Sequence, residues 1–365
     1  MNIELAEVQE APPSKLVQTT QVPVFSYQDF NDLLERDPEV LLKHPCVVRG
    51  FTGQWAASEL WKDLARLKES FGNLPVTAGA PQFTTNVATP MVQVQTDFGT
   101  YLDYVRDPRR AEELFEGQWC KGDFDTFKRL GLPLYSGNIR IVRHSREAVF
   151  DLIDPAVPTA LECLNDAIPY YYQTGNHFWL YVSSAGALTP LHQDNNCVIA
   201  YLAQIKGRKH ALLFSPQDKP YYFKSGVGYM DPLSPDESDF PDWRLAHRWE
   251  AMLEEGDMLI FGPDWAHHVR TLADSVTVSF DIVNATNLEG FTRSQDWREE
   301  LGHFACKNAK LIRERVNDDR LHALLESGSN AAVGARMMLC VLRAALAAGA
   351  DPIKQQMLDI LDGEE

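Results

Sequence analysis

The chain has 365 residues, 45% of them hydrophobic and 23% charged, which supplies enough apolar side chain for one large core or two of medium size. Asp and Glu outnumber Lys and Arg by 51 to 34, and the resulting net charge of −17 repels phosphate and argues against nucleic acid as a partner. Collagen-like, disordered and membrane-embedded classes are excluded by the same composition.

Residues 1–22 are polar, carry Pro12-Pro13, and read as a loosely held lead-in. From Phe25 the pattern turns helical, running from Asp29 through Leu33-Leu34 to Leu41-Leu42 and stopping before Pro45. Cys46-Val47-Val48-Arg49-Gly50 follows as a short strand ending in a turn, a helix is predicted over 58–68, and 101–105 lies in another. Between residues 178 and 283 short apolar runs are broken by Gly, Pro and Asp, which predicts strands at 178–182, 198–205, 210–214, 258–261, 267–271 and 276–283. The last alternates, with Val276, Val278, Phe280 and Ile282 on one face and Thr277, Ser279 and Asp281 on the other. An apolar outer face and a small polar inner face suit a strand lining the mouth of a barrel. Helices return at 311–325, 331–346 and 353–361. The apolar stretch 331–350 is interrupted by Arg336 and Arg343 and reads as a packed helix, so no membrane partner is expected. The fold class is therefore mainly β with flanking helices: a double-stranded β-helix (jelly-roll, cupin-like) core with a C-terminal helical segment. Residues 23–290 are expected to form one domain, with an α/β part at 23–175 and the barrel at 176–290, and the helical segment is expected at 291–365.

Six cysteines are scattered with no C-x-x-C pair, and the N-terminus lacks the basic and apolar regions of a signal peptide. The expectation is a cytoplasmic chain with free thiols.

Of the ten histidines, only His192 is followed two residues on by an acid, Asp194. On extended backbone the two side chains share a face and can reach one ion. Alone, such a pair arises easily by chance. Seventy-five residues after His192 lies His267, in Gly256-Asp257…Pro263-Asp264-Trp265-Ala266-His267-His268, a turn, a strand, a proline corner and a strand that opens on histidine. One of these histidines could complete two imidazoles and one carboxylate around a non-haem divalent ion, leaving coordination positions open.

Leu188-Thr189-Pro190-Leu191-His192-Gln193-Asp194, Ala203-Gln204-Ile205-Lys206-Gly207-Arg208-Lys209 and the Gly-Asp…Pro-x-Trp-x-His segment together resemble JmjC-type, cupin-like 2-oxoglutarate oxygenases. Met230-Asp231-Pro232…Phe240-Pro241-Asp242-Trp243 and Pro45-Cys46-Val47-Val48-Arg49-Gly50…Trp55…Trp61 are similar to the branch around the asparaginyl hydroxylase that inhibits hypoxia-inducible factor. The resemblance covers roughly residues 23 to 285. It implies Fe(II) held by His192, Asp194 and His267, with His268 on the opposite face of its strand. It also implies 2-oxoglutarate held by Lys209 and Thr189, with Tyr135 as a third partner, and O2 as co-reactant. The implied reaction is hydroxylation of a C–H bond, on a peptide or protein side chain or on a small molecule, with release of succinate and CO2. A metal-dependent isomerase is the competing cupin activity, but those barrels typically offer His-x-His and Glu rather than His-x-Asp.

Three departures from the family pattern stand out. Ala266 replaces a frequent Trp, which predicts a reshaped pocket wall. Asp281 stands where the branch often has Asn beside the cosubstrate, and an extra anion there needs a partner or a proton. The stretch from Asp194 to Lys209 is two residues longer than in that branch. Tyr170-Tyr171-Tyr172, His177 and Trp179 are candidates for an entry groove, and the C-terminal helices either cap the barrel or pair two subunits as a homodimer.

Overall fold

Short polar side chains decide where the N-terminal helices begin. In the computed structural model, which describes residues 18–80, 92–121, 133–139 and 178–363 and the single residues 125 and 141, helix Tyr27–Arg36 starts where the Ser26 hydroxyl accepts the Asp29 N–H. That helix ends at Asp37, and Val40–Lys43 forms a separate turn of helix, so the single helix predicted up to Leu42 is two. The helix predicted over 58–68 is likewise split into Ala56–Trp61 and Leu64–Phe71, because Asp63 accepts the Ala65 N–H and caps a new helix. The lead-in is shorter than predicted: Thr19–Gln21 forms a strand, β1, and Val22 beside it is buried.

Strands β2 (Val24–Phe25) and β3 (Cys46–Val48) join the barrel edge, whereas β4 (Pro75–Ala80), β5 (Val92–Asp97) and β6 (Trp119–Lys121) make a separate three-stranded sheet. After β7 (Ser136–Ile139) come the barrel strands β8 (Phe178–Ser183), β9 (Leu188–His192), β10 (Ile199–Lys206) and β11 (Lys209–Phe214). An excursion containing the short hairpin β12 (Phe223–Lys224) and β13 (Gly228–Tyr229) leads to β14 (Arg248–Leu253), β15 (Met258–Phe261), β16 (Ala266–Thr271) and β17 (Ser275–Ile282). Two sheets face each other, one containing β15-β10-β17-β8 and the other β14-β11-β16-β9 in antiparallel order. This is the expected double-stranded β-helix. β9, which contains Pro190, and β14, which does not alternate, are the barrel strands that sequence patterning did not delimit.

Packing follows the two faces of each strand. Val276, Val278, Phe280 and Ile282 of β17 face outward, in one core with the N-terminal helices. Leu202, Leu213, Ala251, Leu259 and Val269 meet between the sheets. Leu212, Phe214 and Ala266 lie on the far side of the second sheet, covered by Tyr222, Met230 and Trp243 of the excursion. Gly207 makes the β10–β11 turn at φ +78°, with the Asp274 carbonyl so close that a Cβ would sit 2.2 Å from its oxygen. Only glycine fits that turn, which sets the register of the strand opening at Lys209.

The C-terminal segment has a core of its own. Helices Leu288–Arg293, Gln295–Lys307, Ala309–Arg315, Asp319–Ser327, Asn330–Ala348 and Pro352–Asp362 bury Trp297, Leu301, Met337, Met338 and Leu342 together with Val198 and Val283 of the barrel. The first two were not anticipated, and the helix predicted over 311–325 is interrupted where Asp318 caps the Leu321 N–H. Asn330–Ala348 is long and apolar enough to cross a membrane by composition, but here it packs against Gln295–Lys307 and its apolar face is covered within the chain.

Candidate metal centre

β9 and β16 are paired so that His192 stands opposite His267, with the imidazole centroids 4.1 Å apart. Asp194 follows in the loop after β9 and brings Oδ1 to 3.6 Å from His192 Nε2 and 4.0 Å from His267 Nε2. The other ring nitrogen of each histidine is held by backbone: His192 Nδ1 lies 2.8 Å from the Pro190 carbonyl and His267 Nδ1 3.2 Å from the Trp265 carbonyl. A carbonyl only accepts, so each Nδ1 carries the proton and each Nε2 lone pair is left facing Asp194. Burial pushes the His267 pKa down to about 4, which keeps its imidazole neutral and ligand-competent near pH 7. Among the described residues this is the group whose donor atoms converge, all within 4.8 Å of one another. Two neutral imidazoles and one carboxylate fit a divalent ion with open positions.

His268 lies on the opposite face of β16, cross-strand from Leu212, and is fully buried outside the triad. The strand alternation expected from sequence therefore separates the two neighbouring histidines.

The triad sits in a cavity of about 210 Å³. Lys209, 3% exposed, enters it from the start of β11, and no carboxylate among the described residues lies within ion-pairing distance. Its ammonium lies 5.7 Å from the Tyr181 ring centroid, a weak compensation for lost water. Burial lowers its pKa to about 7. A lysine so buried and without a carboxylate partner calls for an anion from outside the chain. Thr189 hydrogen-bonds the Tyr135 hydroxyl, and the Tyr135 ring stacks on Tyr181 at 5.9 Å. Thr189, Tyr135 and Lys209 thus line one cavity with the metal triad, and this cation beside hydroxyls fits an acidic ligand.

Asp281 lies on the inner face of β17, opposite Ala200, and lines the same cavity. Burial first, then the nearby Asp194 and Glu300, hold its carboxyl well above the usual range. Ala266 corrects the expected pocket wall: it is packed outward against the excursion with Phe214 and Tyr222, because the residue before an inward-facing histidine points out.

The excursion's Tyr229 and the loop residues Asn195 and Asn196 reach the neighbourhood of the triad, and Glu300 of helix Gln295–Lys307 lines the cavity. Trp179 does so too, whereas Tyr170-Tyr171-Tyr172 and His177 lie outside the described residues. Tyr181 was readable from the alternation of β8, being two residues beyond Trp179. Glu300 carried no sequence signal, since it arrives from a separate helical unit.

Residues 35–282 match the family model described as the cupin-like domain. The chain belongs to that family. It is 32% identical over 118 residues to the human HSPB1-associated protein 1, covering 30% of this chain and 24% of that one. It is 35% identical over 106 residues to the chicken tRNA wybutosine-synthesizing protein 5 (28% and 33%), and 37% identical over 102 residues to the Arabidopsis thaliana lysine-specific demethylase JMJ30 (26% and 23%). These matches span about a quarter to a third of each relative's length.

Proposed function

We propose that the chain is an Fe(II)- and 2-oxoglutarate-dependent oxygenase that hydroxylates a C–H bond of a peptide or protein side chain. The observation that carries this reading is one cavity with a convergent His192–Asp194–His267 donor set and the buried, unpaired Lys209. When bound, iron with 2-oxoglutarate supplies the O2 chemistry that oxidises the C–H bond while 2-oxoglutarate becomes succinate and CO2.

Each residue has a physical task. His192, Asp194 and His267 hold the ion on one side. Lys209 neutralises the distal carboxylate, and the hydrogen-bonded pair of Thr189 and Tyr135 hydroxyls offers it one further donor, so the cosubstrate has a single orientation. The apolar walls Val198, Leu202 and Val269 keep bulk water away. Burial and the nearby Asp194 and Glu300 disfavour the charged form of Asp281, which weakens it as a competing anion.

The relative named as a lysine-specific demethylase supports a protein substrate, and the net charge of −17 favours a basic partner. A compact small molecule is the second reading, favoured by the cavity's limited volume. The test is succinate release in the presence of Fe(II), screened over peptides, amino-acid derivatives and tRNA. Stimulation by a peptide is expected. A response confined to small molecules or to tRNA replaces the substrate class, and absence of an Fe(II)·2-oxoglutarate charge-transfer band in anaerobic titration overturns the oxygenase reading.

A further inference from the structure

The Asp194 loop is not held by the barrel alone. Between the two ligands of the His-x-Asp motif, Gln193 turns away from the ion and spans to the second ligand strand. Its Nε2 donates to the carbonyl of Asp264, and its Oε1 accepts the Tyr229 hydroxyl at 3.1 Å. Asp264 occupies the left-handed region at φ 60°, three residues before His267. One carboxamide therefore ties the loop bearing Asp194 to the corner that delivers His267.

On the other side of Asp194 the chain makes a turn through Asn196 and Cys197, at φ 73° and 53°. Two consecutive non-glycine residues in this region need an external hold. Asn287, buried at the turn that opens the helical segment, supplies it. Its Nδ2 donates to the carbonyls of Cys197 and Ile282, each at 2.9 Å, and its Oδ1 accepts the Asn284 N–H at 2.8 Å. Both donor protons and the oxygen of that side chain are engaged, and it joins the loop, the end of β17 and the first C-terminal helix. Gly290 of that helix lies against Cys197, where an added Cβ would come within 3.2 Å of its Sγ.

We propose that Gln193 and Asn287 are positioning residues that hold the Asp194 loop in its metal-binding arrangement from opposite sides. The helical segment is then part of the frame of the metal centre. A carboxamide suits both places because each must give protons to backbone carbonyls and accept from a donor with the same planar group.

The inference rests on the metal reading, and the experiment separates the two. The full-length chain is titrated with Co(II), with the d–d spectrum recorded, and the metal-free melting temperature is measured alongside. Wild type is compared with Gln193→Met and Asn287→Asp. Gln193→Met keeps the length and removes the side-chain hydrogen bonds to Asp264, Tyr229 and Tyr222; Asn287→Asp keeps the size and turns two donors into a repelled oxygen. Both variants are expected to bind Co(II) about tenfold or more weakly per folded molecule, with an altered spectrum. Gln193, lying in a partly open loop, should leave the metal-free melting temperature nearly unchanged. Wild-type chain that takes up no Co(II) overturns the metal reading itself. Wild type that binds, beside variants matching its affinity and spectrum, overturns the positioning role alone. An Asn287→Asp chain that does not fold assigns that side chain to stability and removes it from the proposal, leaving Gln193→Met to decide the rest.

Discussion

The interior of the barrel mixes apolar and polar side chains, whereas the interior of the helical segment is apolar. Between the sheets lie Lys209, His267, Asp281, Ser279, Thr277, Gln204, Ser183 and Thr271, all buried. Gln204, Thr277 and Ser275 satisfy one another at 2.8–3.2 Å, but Lys209 and the triad nitrogens face open cavity. The helical core is built from leucine, valine, methionine and tryptophan, and its principal ion pair, Arg336 with Asp318, stays at the rim. Burying polar groups that only a ligand can satisfy costs stability, and the dry core offsets that cost. One region is arranged for binding and the other for holding.

Substitutions should separate these roles, and the largest effects belong to the barrel. His192→Ala or Asp194→Ala removes one of three donors, and we expect loss of metal uptake and of succinate release in either variant, read by metal titration and turnover. Unchanged turnover would sink the ligand assignment. Lys209→Met comes next: affinity for 2-oxoglutarate should fall by roughly a hundredfold or more, as for loss of a buried charge-assisted pair. The same variant should also stabilise the ligand-free chain. In the unfolded chain the lysine keeps its proton to about 10.5, in the fold only to about 7. The unfolded state therefore binds more protons between those values, and wild-type stability should rise across that window by on the order of a few kcal/mol. Denaturant melts from pH 7 to 10 check this, and a Lys209→Met chain should lose the slope. Cosubstrate affinity should move the other way, falling above about pH 7 as the ammonium is lost.

Effects in the helical segment should be smaller and structural. Gly334 crosses Gln295–Lys307 so closely that a Cβ would sit 2.0 Å from the Arg298 carbonyl oxygen. Gly334→Val should push the helices apart and cost about 2–3 kcal/mol in a denaturant melt. The smallest expected effect concerns acid. Arg336 donates to both oxygens of Asp318, at 3.0 and 2.7 Å, and holds its pKa down at about 2. That contribution is complete above the ordinary carboxylate value and is lost as pH falls from about 3.8 toward 2, worth about 2 kcal/mol. Asp318→Asn should flatten this part of the acid melting curve.

Much of the site was legible in order along the chain. Alternation on β17 placed Ser279 and Asp281 inside, and alternation on β16 separated His267 from His268, since a strand repeats every two residues whatever its surroundings. Ala266 went astray by the same rule: a position known from family pattern to vary was read as pocket, although its parity points it outward. Helix breaks at Asp63 and Asp318 were missed because a capping aspartate in a continuous apolar rhythm looks like one more polar residue.

Sequence by itself determined the strand parity and the double-stranded β-helix, because these depend on residue type and local repeat, while the donor set and Lys209 were singled out by the resemblance of their motifs to JmjC-type oxygenases. Tertiary structure alone decided that His192 stands across from His267, that Lys209 is buried without a carboxylate partner, and that burial holds the Asp281 carboxyl above its usual range. It also decided that Glu300 and Asn287 reach the site from the helical segment. Register between strands and burial by distant elements are relations among residues far apart in the chain, and no local pattern carries them.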